Sequence, residues 1–362
     1  SQAFVDQMEG FALELEDELM NFSDVSYKSF VKSESEIITL FYDKFADIPL
    51  LSRMDAVAET FIDEIETLLN RDLPEEERIP LIEKFQKMYE TMDFYVLYNR
   101  FLKKEGYQTL PRRPLEKRKL RYEDVYPVLY LKYRLSRQAE RSNIKHLVID
   151  EMQDYSRLQY LIIRRMFSCK MTILGDRAQT MADQQQDVLQ FLPGIFGKDL
   201  RRIEMRKSYR NTVEIASYAA NLIGVTDLEL FERHGMPVLE RNVTDLEAAL
   251  REAVDTLFPD EKTYETAAVI VPDEKTAERA YLILREILAE KDFDCEKRLS
   301  WLNRDSSSFK KGLTVTTFYL AKGLEFDQVF SIFPKDEKRE MMMQAQYIAA
   351  TRALHELRVY HI

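Results

Sequence analysis

His146-Leu-Val-Ile-Asp150-Glu151-Met-Gln153-Asp154 is an apolar run that stops abruptly in acidic residues. Its branched aliphatic centre predicts a short strand, and the acids mark the point where the strand gives way to a loop. In an open parallel sheet the carboxyl ends of the strands face the ligand crevice, so such a strand carries Asp150 to that crevice. Mg²⁺ prefers hard oxygen ligands, commonly one or two carboxylates completed by substrate phosphates. A second carboxylate beside it orients or deprotonates an attacking water. Asp150 is therefore the expected Mg²⁺ ligand and Glu151 the expected base. Many strands end in Asp and Glu only because a loop begins, so the segment has to be weighed with its surroundings.

Downstream of it the texture is strand alternating with helix. Strand-like runs occur at 171–175 (MTILG), 201–205 (RRIEM), 267–271 (AAVIV), 313–318 (LTVTTF), 328–333 (QVFSIF) and 357–362 (LRVYHI). Such alternation predicts an α/β fold with largely parallel sheets covered by helices. Upstream, residues 1–140 contain only two glycines, Gly10 and Gly106, and little strand signal. Phe4, Met8, Phe11, Ala12 and Leu15 recur at helical spacing, as do Ala56, Phe61, Ile65 and Leu68. This part reads as a helical subdomain, with Pro111 and Pro114 marking a joint before another helix near 123–139. No period of 20 to 50 residues repeats.

Four further blocks share the character of the first. Gly175-Asp176-Arg-Ala-Gln179 ends the second strand with a glycine and polar groups, so two neighbouring strands aim at one crevice. Ser208-Tyr209-Arg210 precedes a helical pattern through Val213, Ile215, Ala216, Ala219 and Leu222. Thr316-Thr317-Phe-Tyr-Leu-Ala321-Lys322-Gly323-Leu324-Glu325-Phe326 joins two strands. Gln346-Tyr347-Ile-Ala-Ala-Thr351-Arg352-Ala353 lies on a helix near the end. Guanidinium groups bind phosphate oxygens bidentately and neutralise charge that develops in phosphoryl transfer, which suits Arg210 and Arg352.

In this order the five blocks resemble motifs II to VI of UvrD/Rep-type superfamily 1 helicases, from about residue 145 to the end. The helical first part matches that broad family poorly. The resemblance implies RecA-like P-loop NTPase lobes, ATP and Mg²⁺ as cofactors, and nucleic acid, DNA in particular, as partner. It implies Asp150 as the metal carboxylate, Glu151 as the catalytic base and Gln153 as the end of the DExQ box. Gln179 corresponds to the motif III glutamine, Arg210 and Arg352 to the γ-phosphate arginines, and Gly323 and Glu325 to the motif V segment near the ribose. The implied organisation is a helical 1B-like insertion over 1–140, an incomplete first lobe over 141–200 and a second lobe over 201–362.

A narrower resemblance is to the HelD branch. Tyr319-Leu320 replaces the usual His-Ser before Ala321-Lys322-Gly323, and 40–51 (LFYDKFADIPLL) is similar to the helical insertion of that branch. About a hundred residues separate Arg210 from Thr316, too few for the large inserted domain of processive unwinders. HelD-like proteins imply RNA polymerase as partner. A 3′ to 5′ DNA helicase of repair or recombination and an inactive interaction scaffold are the competing readings.

The phosphate cradle is the missing part. No GxxxxGK[ST] loop occurs among the 362 residues, and the one Gly-Lys pair, Gly197-Lys198, has the wrong flanks. The chain is therefore expected to be a piece that begins after that loop and hydrolyses little ATP alone, with natural loss as the alternative.

Composition sets outer bounds. Hydrophobic residues make up 45% and charged residues 32%, and no run approaches the roughly 18 apolar residues of a membrane span. Membrane embedding is not expected. Cys169 and Cys295 stand far apart without metal-ligand spacing, so a reducing cytoplasmic setting is expected. The formal net charge of −11 is unusual for a nucleic-acid binder. Residues 112–121 (RRPLEKRKLR), followed by Arg134, Arg137, Arg141 and Lys145, run against it. The expectation for that run is a solvated helix face, with a phosphate-binding face as the competitor. Trp301 is expected to be a packing anchor, Met341-Met342-Met343 core and helix surface, and Tyr126, Tyr130 and Tyr133 an interface between the helical region and the sheet that follows.

Overall fold

The computed structural model describes residues 2–137, 143–176, 179, 188–225, 229–257, 264–291, 294–306, 311–335 and 340–362. Arg141 of the basic series lies outside them. The chain divides into two compact units, one formed by Ser1–Gly175 with Gln186–Leu200 and the other by Asp176–Gln185 with Arg201–Ile362.

The first unit is mainly helical: α1 (Gln2–Glu18), α2 (Glu34–Thr39), α3 (Arg53–Leu69), α4 (Glu75–Gln86), α5 (Phe94–Lys104) and α6 (Tyr122–Leu135), with a small hairpin of β1 (Val25–Tyr27) and β2 (Phe30–Lys32). The buried stripe of α1 is Val5, Met8, Phe11, Ala12 and Leu15; the last four are as the spacing predicts, while Phe4, expected in place of Val5, is half-buried against the same core. In α3 the buried stripe is Met54, Val57, Ala58, Phe61, Ile62 and Ile65. Leu68, expected on that face, is 72% exposed. Its neighbour Leu69 packs against the core instead, and the helix ends at Asn70, whose φ of 50° is left-handed.

The stretch 40–51 forms a buried corner. A single π turn, Leu40–Lys44, extends α2 and buries Phe41. Arg53, almost wholly buried, donates from Nε to the Ile48 carbonyl at 2.8 Å and from Nη2 to the Ala46 carbonyl at 2.9 Å, and its guanidinium lies over the Phe41 ring. The aromatic and aliphatic letters there are packing.

After α6 come β3 (His146–Ile149), α7 (Arg157–Met166), β4 (Lys170–Ile173) and α8 (Val188–Phe196). β3 and β4 pair in parallel, Ile149 opposite Ile173. A small core forms from Ile149, Tyr160, Val188, Phe191 and Leu192. Alternation along β3 turns Ile149 inward and leaves Val148 61% exposed. Tyr130 of α6 is fully buried and lies under the Arg165 guanidinium of α7, while Tyr126 and Tyr133 flank the same core.

The second unit is an α/β layer. Its sheet holds β7 (Leu239–Asn242), β8 (Thr266–Val271), β9 (Leu299–Trp301), β10 (Gly312–Thr317), β11 (Phe326–Phe333) and β12 (Ala353–His361) in the order β7-β12-β11-β8-β10-β9, every pairing parallel. β8 sits inside it and is apolar on both faces, as a strand covered by helices on both sides must be. Val269 and Val271 meet the core under α10 (Leu246–Asp255) and α11 (Glu274–Ala289). Ala268 and Ile270 meet the opposite core, under α9 (Val213–Leu222) and α13 (Glu340–Thr351).

A short helix α12 (Cys295–Arg298) leads into β9, and Gly312, at φ 115°, opens β10 against the Arg298 backbone, where any Cβ would collide. The run 201–205, expected as a strand, is irregular. Its place is taken by the two-residue β5 (Lys207–Ser208), paired with β6 (Glu229–Leu230). Ile203 and Met205 would share one face of a strand, but they are 73% and 85% exposed and find no core to bury them. Trp301 stacks on Tyr281, and of the three methionines only Met342 is buried.

Candidate functional site

In the first unit the strand β3 ends on Ile149, which is buried, and Asp150 is the first exposed residue beyond it. Asp150 Oδ1 accepts the Glu151 amide at 2.8 Å, and Glu151 then enters the left-handed region at φ 53°, ψ 50°. A glutamate adopts that conformation at a steric cost of about 1–2 kcal/mol, held only where the surroundings impose it. Here they do. The Leu174 amide donates to the Ile149 carbonyl and the Met152 amide to the Leu174 carbonyl, both at 2.8 Å, so β4 pins the chain on either side of the two acids. A 3₁₀ turn, Met152–Asp154, follows, and buried Gln153 donates from Nε2 to Glu151 Oε2 at 2.6 Å. The Tyr160 hydroxyl donates to the Met152 carbonyl at 3.1 Å, and burial raises the Tyr160 pKa.

Gly175 is required by this geometry. A Cβ there would sit 2.5 Å from Gln153 Oε1 and 2.6 Å from the Met152 amide. The strand end passes too close to the acidic loop for any side chain.

The other candidates lie in the second unit. Gln179, mostly buried, donates from Nε2 to Asp176 Oδ2 at 3.0 Å, and the Tyr347 hydroxyl donates to the same oxygen at 3.0 Å. Burial, then the charge of Asp176, raises the Tyr347 pKa. Arg352, 2% exposed, follows the last residue of α13. Its guanidinium donates to the carbonyls of Ile348 at 3.3 Å and Leu324 at 3.4 Å, to Thr351 Oγ1 at 3.1 Å and to Gln179 Oε1 at 3.4 Å. Its carbonyl accepts the Phe326 amide at 2.9 Å, so the segment 318–325 is folded onto it. Gly323 takes φ 81° in that segment with open space where a Cβ would be.

Arg210 and Glu325 form an ion pair at 2.5 Å, both side chains about half exposed. The second unit thus brings together Arg210 with Glu325 and Arg352 with Gln179. Asp150, Glu151 and Gln153 form a group of their own in the first.

Three supporting residues escaped the sequence reading. Asn211 donates from Nδ2 to the carbonyls of Thr351 at 3.2 Å and Ala353 at 2.6 Å, tying the start of α9 to the residues that flank Arg352. Arg233 Nη2 donates to the carbonyls of Arg210 at 2.6 Å and Leu354 at 2.5 Å. Glu214 holds the loop that carries Arg233, accepting from the His234 ring and the Gly235 amide, each at 2.9 Å. The hydrogen bond from His234 first, then that from the Gly235 amide, lowers the Glu214 pKa to about 2. Adjacency to Arg210 was a signal for Asn211; nothing local marked Arg233 or Glu214.

The residues at the end of β3 suit one kind of metal. Two carboxylates at a strand end fit Mg²⁺ held largely by nucleotide phosphates and water. Among the described residues no group of three or more acidic, histidine or cysteine side chains forms a protein cage. Among the described residues no helix is long and apolar enough to cross a membrane.

Residues 9–181 match the UvrD/REP helicase N-terminal domain. The match runs through the helical part, which the sequence reading had set apart from the broad family, and takes in Asp150, Glu151, Gln153 and Gln179. No curated protein matches the chain.

Among solved structures, the C-terminal domain of a possible DNA helicase from Lactobacillus plantarum WCFS1 is 24% identical, with 43% of this chain and 88% of that one covered, at a TM-score of 0.34. The PRRSV helicase is 15% identical over 74% of this chain and 45% of its own, at 0.34. Arterivirus nonstructural protein 10 (helicase) in complex with DNA is 13% identical over 74% and 51%, at 0.34. The chain spans about half the length of the two viral helicases, and overlaps this loose support no functional conclusion.

Proposed function

We propose that this chain is part of an ATP-driven superfamily 1 motor of the HelD-like kind, acting on complexes of RNA polymerase with nucleic acid. The observation that carries the motor reading is the acidic loop after β3. Asp150 stands exposed beside Glu151, and Glu151 is locked in a strained conformation with Gln153 on its carboxylate. Strain kept at one non-glycine residue in an otherwise regular turn belongs to a site whose geometry matters.

In this reading Asp150 holds Mg²⁺, which when bound neutralises phosphate charge, and Glu151 orients the attacking water and takes its proton. Gln153 fixes the rotamer of Glu151. Arg210 and Arg352 stabilise charge on the transferred phosphoryl group, Gly323 and Glu325 lie toward the ribose, and Gln179 couples the nucleotide to the nucleic-acid path. As folded, Arg352 spends its donors on Leu324, Ile348, Thr351 and Gln179. Binding phosphate therefore requires it to exchange some of those bonds, which links nucleotide state to the 318–325 segment and to Gln179.

The phosphate cradle is not among these 362 residues. The chain alone is expected to show negligible ATP turnover, and turnover abolished by Glu151→Gln would overturn that expectation. The polymerase reading rests on Tyr319-Leu320 and the 40–51 segment. It is tested by retention on immobilised RNA polymerase, compared with binding to single-stranded DNA at several salt concentrations. DNA binding with no polymerase retention sinks it and favours the second reading, a DNA translocase, which the UvrD/REP match over 9–181 supports.

A further inference from the structure

The basic run 112–121 carries six Lys or Arg residues and a single acid, Glu116, in a chain of net charge −11. It was expected on a helix face. It is instead a braced loop whose only regular turn is the 3₁₀ segment Leu115–Lys117. The Tyr95 hydroxyl donates to the Pro111 carbonyl at 2.7 Å, and the Leu110 amide donates to Asn99 Oδ1 at 2.7 Å. Arg118 is the central brace: Nη1 reaches Asp93 Oδ2 at 2.5 Å, Nε donates to the Arg113 carbonyl at 3.0 Å, and the guanidinium lies over the Tyr95 ring. Burial disfavours the charged form of Asp93, but Arg118 and the Tyr95 amide outweigh it and hold the carboxyl below its ordinary range. At the far end Arg121 Nε pairs with Asp124 at 2.8 Å.

With Arg118 and Arg121 occupied as supports, Arg112, Arg113, Lys117 and Lys119 remain exposed, and their side chains have no ion pair or hydrogen bond among the described residues. Four uncompensated cations on a fixed loop repel one another and have no structural use in the free chain. Immediately after them Tyr122 stands 78% exposed, its ring edge-to-face with Tyr126, to whose side chain it is also hydrogen-bonded. Cations that track phosphates beside an exposed aromatic ring are the recognition chemistry of single-stranded nucleic acid, where the ring stacks on a base. An acidic protein would be met by the same charges and a tyrosine also serves protein interfaces, so the test below carries an acidic competitor; the run of four cations leading directly to the ring is the pattern a single strand reads.

We propose that Arg112, Arg113, Lys117, Lys119 and Tyr122 form a sequence-independent single-stranded nucleic-acid site on the helical unit. This site is independent of the motor reading, since it requires neither nucleotide nor polymerase.

The test is anisotropy of a fluorescein-labelled oligothymidylate titrated with the full chain across a series of NaCl concentrations, without ATP. Each phosphate contact contributes about −0.7 to the slope of log affinity against log salt for single strands. The fourfold variant R112Q/R113Q/K117Q/K119Q is expected to flatten that slope by about 3. Tyr122→Ala is expected to weaken binding roughly 5-fold or more, and Tyr122→Phe to restore it. All five side chains are exposed, so unchanged thermal melting serves as the folding control.

A slope unchanged in the fourfold variant overturns the proposal, as does failure to bind at the lowest salt. Competition by polyglutamate as strong as that by unlabelled oligonucleotide, with Tyr122→Ala silent, overturns it in favour of an acidic protein partner. Absence of polymerase retention bears only on the motor reading.

Discussion

Two arginines carry the same expected role and stand in opposite environments. Arg352 is buried with its guanidinium on three oxygens of its own surroundings and on Gln179, whereas Arg210 is half exposed on Glu325. Removing a buried donor leaves buried acceptors unsatisfied, so Arg352→Ala is expected to cost about 2–3 kcal/mol. Arg210→Ala is expected to cost under about 1 kcal/mol, because exposed ion pairs contribute little. Denaturant midpoints of the two variants check the contrast, and equal losses would contradict it. The sequence marked both arginines through their blocks, but charge and spacing alone contain no burial.

Glu214 supplies a pH signature. Its folded pKa, about 2, lies below its ordinary 4.5, so it contributes stability that is fully present above about pH 4.5 and lost as pH falls through 4.5 toward 2. The stability difference between wild type and Glu214→Gln is expected to shrink as pH falls from about 4.5 toward 2. A difference that grows within that window would refute the clamp.

Individual helices and strands show where periodicity was sufficient. In α1 Met8, Phe11, Ala12 and Leu15 are buried as expected, with Val5 in place of Phe4, and in β8 a near-continuous apolar run marks a strand covered on both faces. In α3 the stripe Ala56, Phe61, Ile65, Leu68 was rotated and one turn too long. Phe61→Ala is expected to cost about 3–5 kcal/mol. Leu68→Ala, on a side chain 72% exposed, is expected to stay within about 0.5 kcal/mol. Paired urea melts decide between the two stripes.

The short strands β7 and β9 escaped notice because LERN and LSW carry too few apolar residues to form a pattern, and they pair at the two edges of the sheet. The run 112–121 was legible as charge but not as shape. Its bracing comes from Asp93, Tyr95 and Asn99, residues of another helix and its cap.

Among the described residues there are separate hydrophobic cores, a large one under α1 to α7 with a small one beside β3 and β4, and two on the faces of the six-stranded sheet. Cores that share no buried residue have no obligation to melt together. Differential scanning calorimetry is expected to resolve two transitions, with Phe61→Ala lowering one and Phe330→Ala the other. A single transition shifted equally by both variants would show the units to be one cooperative body.

What the order of residues determined unaided was the α/β class, the helical first part, the strand that ends at Asp150 and the blocks around Gln179, Arg210, Glu325 and Arg352. These are local patterns of polarity, and polarity is written residue by residue. The left-handed backbone of Glu151, the burial of Arg352 and the clamp through Asn211, Arg233 and Glu214 were decided only by tertiary structure. Each depends on a hydrogen bond or a close approach between residues far apart in the chain, and no local pattern encodes such a contact.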